Sequence, residues 1–172
     1  MSAFLSPLLQ RWRLCALVAS VLMLAIAHGF ETIGGLAPCA LCLRAREIYW
    51  VAAGVALVGM FAVRIRGGER WRWAFDAALA LIFAAGVALA VYHAGAEWKW
   101  WPGPTACSGG GGAVSTSQMS DLLGGAKIRP PACDEPAWVF LGLSMAGWNG
   151  LASLGLTILS LLAVRHELGK RP

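Results

Sequence analysis

Apolar residues run almost unbroken over 14–30, 48–63, 75–92 and 137–164, and among charged residues only Asp76 falls inside one of these runs. Continuous runs argue for helices, because the strands of a membrane barrel alternate apolar and polar positions. A helix needs about 20 apolar residues to cross a bilayer core. At that depth the backbone must satisfy its own hydrogen bonds, which a helix does within one segment. The second run is short by itself and reaches spanning length only if its helix starts near Pro38, giving a span over 40–63. The pattern therefore predicts an all-α membrane protein, an antiparallel four-helix transmembrane bundle forming one domain over 1–172. Its outer loops would cover 31–39 and 93–136, the second long and irregular.

Composition agrees with a lipid environment. Of 172 residues, 58% are hydrophobic and 13% charged, whereas a soluble domain carries about a quarter charged. The mean hydropathy is +0.64. Nothing in the length asks for a second domain. The first run has a rival reading: Arg11 and Arg13, an apolar core and then Ala25-Ile26-Ala27 are built like a cleavable secretory signal. An uncleaved helix is expected, since cleavage would leave three spans and an amino terminus on the side that the charges oppose.

Those charges set the orientation, because basic residues collect on the cytoplasmic side. Arg11 and Arg13 precede the first run, Arg64, Arg66, Arg70 and Arg72 separate the second and third, and Arg165, Lys170 and Arg171 follow the fourth. The segment 31–38 has no basic residue, and in 93–136 Lys99, Lys127 and Arg129 are offset by Glu97, Asp121, Asp134 and Glu135. Both termini are expected in the cytoplasm. Tryptophans fall where interfacial belts would lie: Trp12, Trp71 and Trp73 inside, and Trp98, Trp100, Trp101 and Trp138 outside. The net charge of +5 is thus a topology signal and gives no support to nucleic-acid binding.

On this topology four of the five cysteines face the oxidising side, where disulfides persist. Cys39 and Cys42 sit in the stretch PCALCLRARE at the outer edge of the second span, and Cys107 and Cys133 lie in the second outer loop. Cys15, alone in the first span, reads as a small packed hydrophobe. A c-type haem site would need His at 43, which is Leu. Zinc would want a second close pair of ligands, and His93 is the only nearby imidazole, so no metal is expected. A structural bridge is a fair reading of Cys107 and Cys133, whose 25 intervening residues would make it worth about 3.5 kcal/mol on the chain-entropy model. It is a weak reading of Cys39 and Cys42. Closing so short a loop stabilises little, and the CxxC spacing is that of dithiols that exchange electrons.

Helix geometry places further residues. With Pro38 at or before the first turn, Cys39 and Cys42 are neighbours at i and i+3. The unpaired N–H groups and positive dipole end there favour a thiolate. Arg46 follows Cys42 by four residues and shares its face, while Arg44 points elsewhere and reads as an interfacial anchor. His93 ends the third span at the level of Arg46. Asp76 reads as an acid at a helix start. The glycines 109–112 read as a flexible linker beside Cys107.

Taken together, Pro38-Cys39-Ala40-Leu41-Cys42, Arg46 four residues on, and His93 ahead of Trp101-Pro102-Gly103-Pro104 and Cys107 resemble the DsbB family. Phe140-Leu141-Gly142-Leu143 with Met145 and Trp148, after Cys133, extend the resemblance over nearly the whole chain. The glycine run, a weakly hydrophobic second loop, and Ala45 where some members carry an acid depart from the family pattern. The resemblance implies an inner-membrane oxidoreductase that reoxidises a periplasmic DsbA-like dithiol oxidase and passes the electrons to a membrane quinone, ubiquinone or menaquinone. It implies that Cys107 is attacked by the partner, that Cys133 passes electrons on by attacking Cys39, and that Cys42 is left as a thiolate facing quinone. Arg46 and His93 would then stabilise the quinone oxygens. Vitamin K epoxide reductases are similar in architecture, but usually carry CxxC late, on the last helix. A non-catalytic membrane scaffold with two structural disulfides is the alternative from another class.

Overall fold

The computed structural model describes residues 5–104 and 133–170. A short helix α1 (Leu5–Gln10) leads into α2 (Trp12–Thr32), α3 (Ala40–Ala62), a 3-10 turn (Gly68–Trp71), α4 (Arg72–Glu97) and, after a two-stranded hairpin, α5 (Met145–Leu168). Four of these helical segments are long and apolar enough to cross a membrane, and the chain is a multi-pass all-α membrane bundle. Around it, α2 packs on α3, α3 on α4, and α4 most extensively on α5.

Small residues make those contacts. Ala16 and Ser20 of α2, Ala52 and Ala56 of α3, Ala80 and Ala90 of α4, and Ser153 and Ala163 of α5 are buried, while Leu22, Trp50, Phe61, Leu81 and Ile158 point outward. Lipid tails are as apolar as leucine, so helices associate in membranes through close backbone approach and interhelical hydrogen bonds. At Gly86 an added Cβ would stand 3.1 Å from Ser153 Oγ, and at Gly59 it would stand 2.9 Å from the Phe75 ring. Polar side chains tie α5 to the other helices as well. Trp12 Nε1 donates to Ser160 Oγ at 3.0 Å, and Tyr49 OH donates to Asn149 Oδ1 at 2.7 Å and stands 3.1 Å from Ser153 Oγ.

Two residues behave differently from their sequence expectation. Trp12 is 2% exposed and belongs to the core, not to an interfacial belt. Asp76 lies one turn inside α4 and is 1% exposed; it accepts two hydrogen bonds from Arg13 of α2, at 2.9 and 3.0 Å. The acid is therefore half of a buried ion pair between two helices, just past the first turn of α4.

The last apolar run also divides. Residues 137–144 are not helical throughout: β1 (Val139–Phe140) pairs antiparallel with β2 (Leu143–Ser144). Leu141 and Gly142 between them both take positive φ, 52° and 79°, as a tight hairpin turn requires. The α5 helix then starts cleanly, because Ser144 caps it by accepting from Gly147 N at 3.2 Å. Of the hairpin's apolar side chains, Phe140 lines the cavity described below, while Val139 and Leu141 are exposed.

Candidate functional site

The site grows from the start of α3. Cys39 is the N-cap residue, with extended backbone, and its Sγ accepts from Cys42 N at 3.2 Å, so the first turn is capped by a thiol. Cys42 comes one turn on, and the two sulfurs stand 2.8 Å apart. Both are free thiols, close to the separation of about 2.05 Å at which a disulfide forms.

The two thiols face different surroundings. Cys39 is 5% exposed and forms a buried cluster with Leu41 and Cys133, itself 1% exposed, against which Cys42 also packs. Cys133 is held in a disulfide. Cys107 and the glycines 109–112 lie outside the described residues, as do Asp121, Lys127 and Arg129. Cys42 is half-buried and lines a cavity of about 420 Å³ that Cys39 does not reach. That cavity is walled by Met23, Phe30 and Tyr49 from α2 and α3, by Phe140 of the hairpin, and by Met145 and Trp148 of α5. Trp138 closes it by packing on Phe30 and stacking on Phe140, with ring centroids 5.3 and 5.6 Å apart.

Charge at this site is arranged by three helices. Arg46 lines the cavity; it donates to Glu31 at the end of α2 and to the Ala27 carbonyl at 3.0 Å. Arg44 pairs instead with Glu47 on the exposed face. His93 of α4 also lines the cavity, with Nε2 3.6 Å from Cys39 Sγ. One turn beyond, Glu97 Oε1 lies 3.7 Å from the same nitrogen. The Cys39 thiol is pushed well above the ordinary thiol range, first by its hydrogen bond to Cys42 and then by burial, which together outweigh the backbone N–H groups favouring a thiolate.

Five of the six sequence-derived positions are described, and all five converge here: Cys39, Cys42, Arg46, His93 and Cys133. Glu31 and Glu97 were not among them. Glu97 left one signal, its place four residues after His93 on a helix; nothing local ties Glu31 to Arg46, 15 residues later. An apolar cavity with a few convergent polar groups is the usual form of a small-molecule site. Here the polar groups that reach the apolar cavity include the Cys42 thiol, the Arg46 guanidinium and the His93 imidazole.

Comparison with known proteins agrees with this chemistry. The family model for disulfide bond formation protein DsbB matches residues 10–163. The chain is 30% identical to Disulfide bond formation protein B of Stutzerimonas stutzeri (strain A1501), over 85% of this chain and 88% of that one. It is 32% identical to Disulfide bond formation protein B 2 of Pseudomonas entomophila (strain L48), over 89% of each. A third relative, from Verminephrobacter eiseniae (strain EF01-2), is 30% identical over 88% of this chain and 85% of that one.

Proposed function

The chain belongs to the DsbB family of disulfide-forming membrane oxidoreductases, and on that footing we propose that it reoxidises a periplasmic DsbA-like dithiol oxidase and delivers the electrons to a membrane quinone. It would sit in a bacterial inner membrane with both termini in the cytoplasm, as the distribution of arginines favours.

One observation carries the reading: the CxxC pair bridges a buried cluster that includes Cys39 and Cys133 and an apolar cavity that Cys42, alone of the two, lines. In the first step a partner thiolate attacks Cys107, breaking its bond to Cys133 and forming a mixed disulfide. The partner's second thiol then displaces Cys107, so the partner leaves oxidised. Cys133, released as a thiolate, attacks Cys39 of an oxidised Cys39–Cys42 pair, and Cys42 leaves as a thiolate into the cavity. Two electrons have then moved from the aqueous face to the lipid face.

Cavity volume, apolar walls and the cation at its edge fit a quinone ring, which when bound supplies a two-electron, two-proton acceptor. Arg46, fixed by Glu31 and the Ala27 carbonyl, presents its guanidinium to oxygens held beside Cys42. His93 offers a ring nitrogen from the opposite helix. Such fixed donors favour charge that develops during reduction. The test is quinone reduction by the purified protein given a reduced periplasmic dithiol oxidase. Stoichiometric loss of quinone absorbance is expected; oxidation of the partner without quinone loss would contradict the reading.

A further inference from the structure

Two thiols, an imidazole and a carboxylate meet where α3 starts and α4 ends. The Cys39 and Cys42 sulfurs and a His93 ring nitrogen all lie within 4.8 Å of one another. His93 Nε2 is 3.6 Å from Cys39 Sγ and 3.7 Å from Glu97 Oε1. The Glu97 side chain is 5% exposed, and its Oε2 has no hydrogen-bond partner among the described residues. A buried carboxylate oxygen without a partner is costly, and a cation would relieve it.

We propose that the reduced Cys39–Cys42 pair, His93 and Glu97 form a binding site for a soft divalent cation of the zinc class. Around a tetrahedral zinc ion, with bonds of about 2.3 Å to sulfur and about 2.0 Å to nitrogen, a sulfur and a nitrogen stand about 3.5 Å apart. The 3.6 Å between Cys39 Sγ and His93 Nε2 already meets that spacing. The two sulfurs, 2.8 Å apart, must separate by about 1 Å to reach the roughly 3.8 Å of two thiolates on one ion. Glu97 stands beside His93 but outside the set of three atoms within 4.8 Å, so it must turn in to complete the shell. The ion forms two metal–thiolate bonds and displaces two thiol protons to solvent, so no oxidant or reductant is consumed. Thiolate and imidazole ligands select zinc over magnesium or calcium. The disulfide form has no thiolate to offer, so the site exists only while the pair is reduced. A bound ion holds it reduced and stops thiol exchange. The site stands on the positions of four side chains and is independent of where the electrons go.

The test is cobalt titration of the full-length protein in detergent, after reduction and removal of the reductant. A sulfur-to-cobalt charge-transfer band with the visible absorption of tetrahedral Co(II) is expected, reversed by excess Zn²⁺ and unaffected by Mg²⁺. It should be absent from the oxidised protein, vanish in Cys42→Ser, and survive in the Cys107→Ser, Cys133→Ser double variant. His93→Ala and Glu97→Gln should each weaken Zn²⁺ binding by at least about tenfold. A band that persists in oxidised protein, is lost with Cys107 and Cys133, or is insensitive to both His93→Ala and Glu97→Gln would overturn the proposal.

Discussion

Arg46 donates to the Glu31 carboxylate across the α2–α3 seam, and a second donor on the same guanidinium holds the Ala27 carbonyl at 3.0 Å. A cation at the edge of a bilayer is costly unless it faces protein, water or an opposite charge, and here α2 supplies both partners. The charge is thereby fixed at the cavity wall beside Cys42.

Arg46→Ala should slow quinone reduction by roughly ten- to a hundredfold, the worth of one charge-assisted hydrogen bond of about 1.5 to 3 kcal/mol. Arg46→Lys should recover only part, because lysine is a point charge without the planar fork. Arg44→Ala, whose residue pairs with Glu47 in solvent, should behave as wild type. Steady-state kinetics on the three variants decide it; impairment of the Arg44 variant alone would contradict the site.

The two thiols of the pair should be chemically unequal. In reduced protein under limiting iodoacetamide, Cys42 is expected to be alkylated before Cys39, which is 5% exposed. The sign follows from the raised titration of Cys39: at a given pH it holds a smaller thiolate fraction than an ordinary thiol, so its labelling lags most near neutrality and catches up as pH rises. Peptide mass spectrometry across a pH series measures the order.

At the opposite end of the bundle, Asp76→Ala leaves the buried Arg13 without its partner. Loss of one member of a buried pair costs about 3 to 5 kcal/mol, whereas replacing both by apolar residues of similar volume is often close to neutral. Thermal unfolding in detergent should therefore show a large drop for Asp76→Ala, and most of it recovered in Arg13→Met, Asp76→Leu.

Orientation is open to direct labelling. Cysteines introduced as Ser6→Cys and Arg66→Cys should resist impermeant thiol reagents in intact cells, and Ser117→Cys should react. Labelling at position 66 from outside would reverse the topology.

Much of the architecture was legible because lipid imposes one simple demand, long apolar helices, and the runs advertise it. The stripe Cys39, Cys42, Arg46 was legible too, since it needs only a helix period of 3.6. The hairpin at 139–144 was hidden because its residues are as apolar as a span; only Leu141-Gly142, with two positive φ values, breaks the helix there. Asp76 looked like a helix-start acid because its partner, Arg13, lies 63 residues away on another helix. Glu31 was invisible for the same reason, and Glu97 read as loop charge because α4 continues one turn past His93.

The central claim is that Cys133 exchanges with Cys39 of the pair and not with Cys42. It is tested most directly by mild oxidation of two full-length double variants, Cys107→Ser, Cys42→Ser and Cys107→Ser, Cys39→Ser, followed by peptide mapping of the disulfides. The account predicts rapid, near-complete Cys39–Cys133 bonding in the first and little Cys42–Cys133 bonding in the second. Efficient Cys42–Cys133 bonding with Cys39 left free would contradict it.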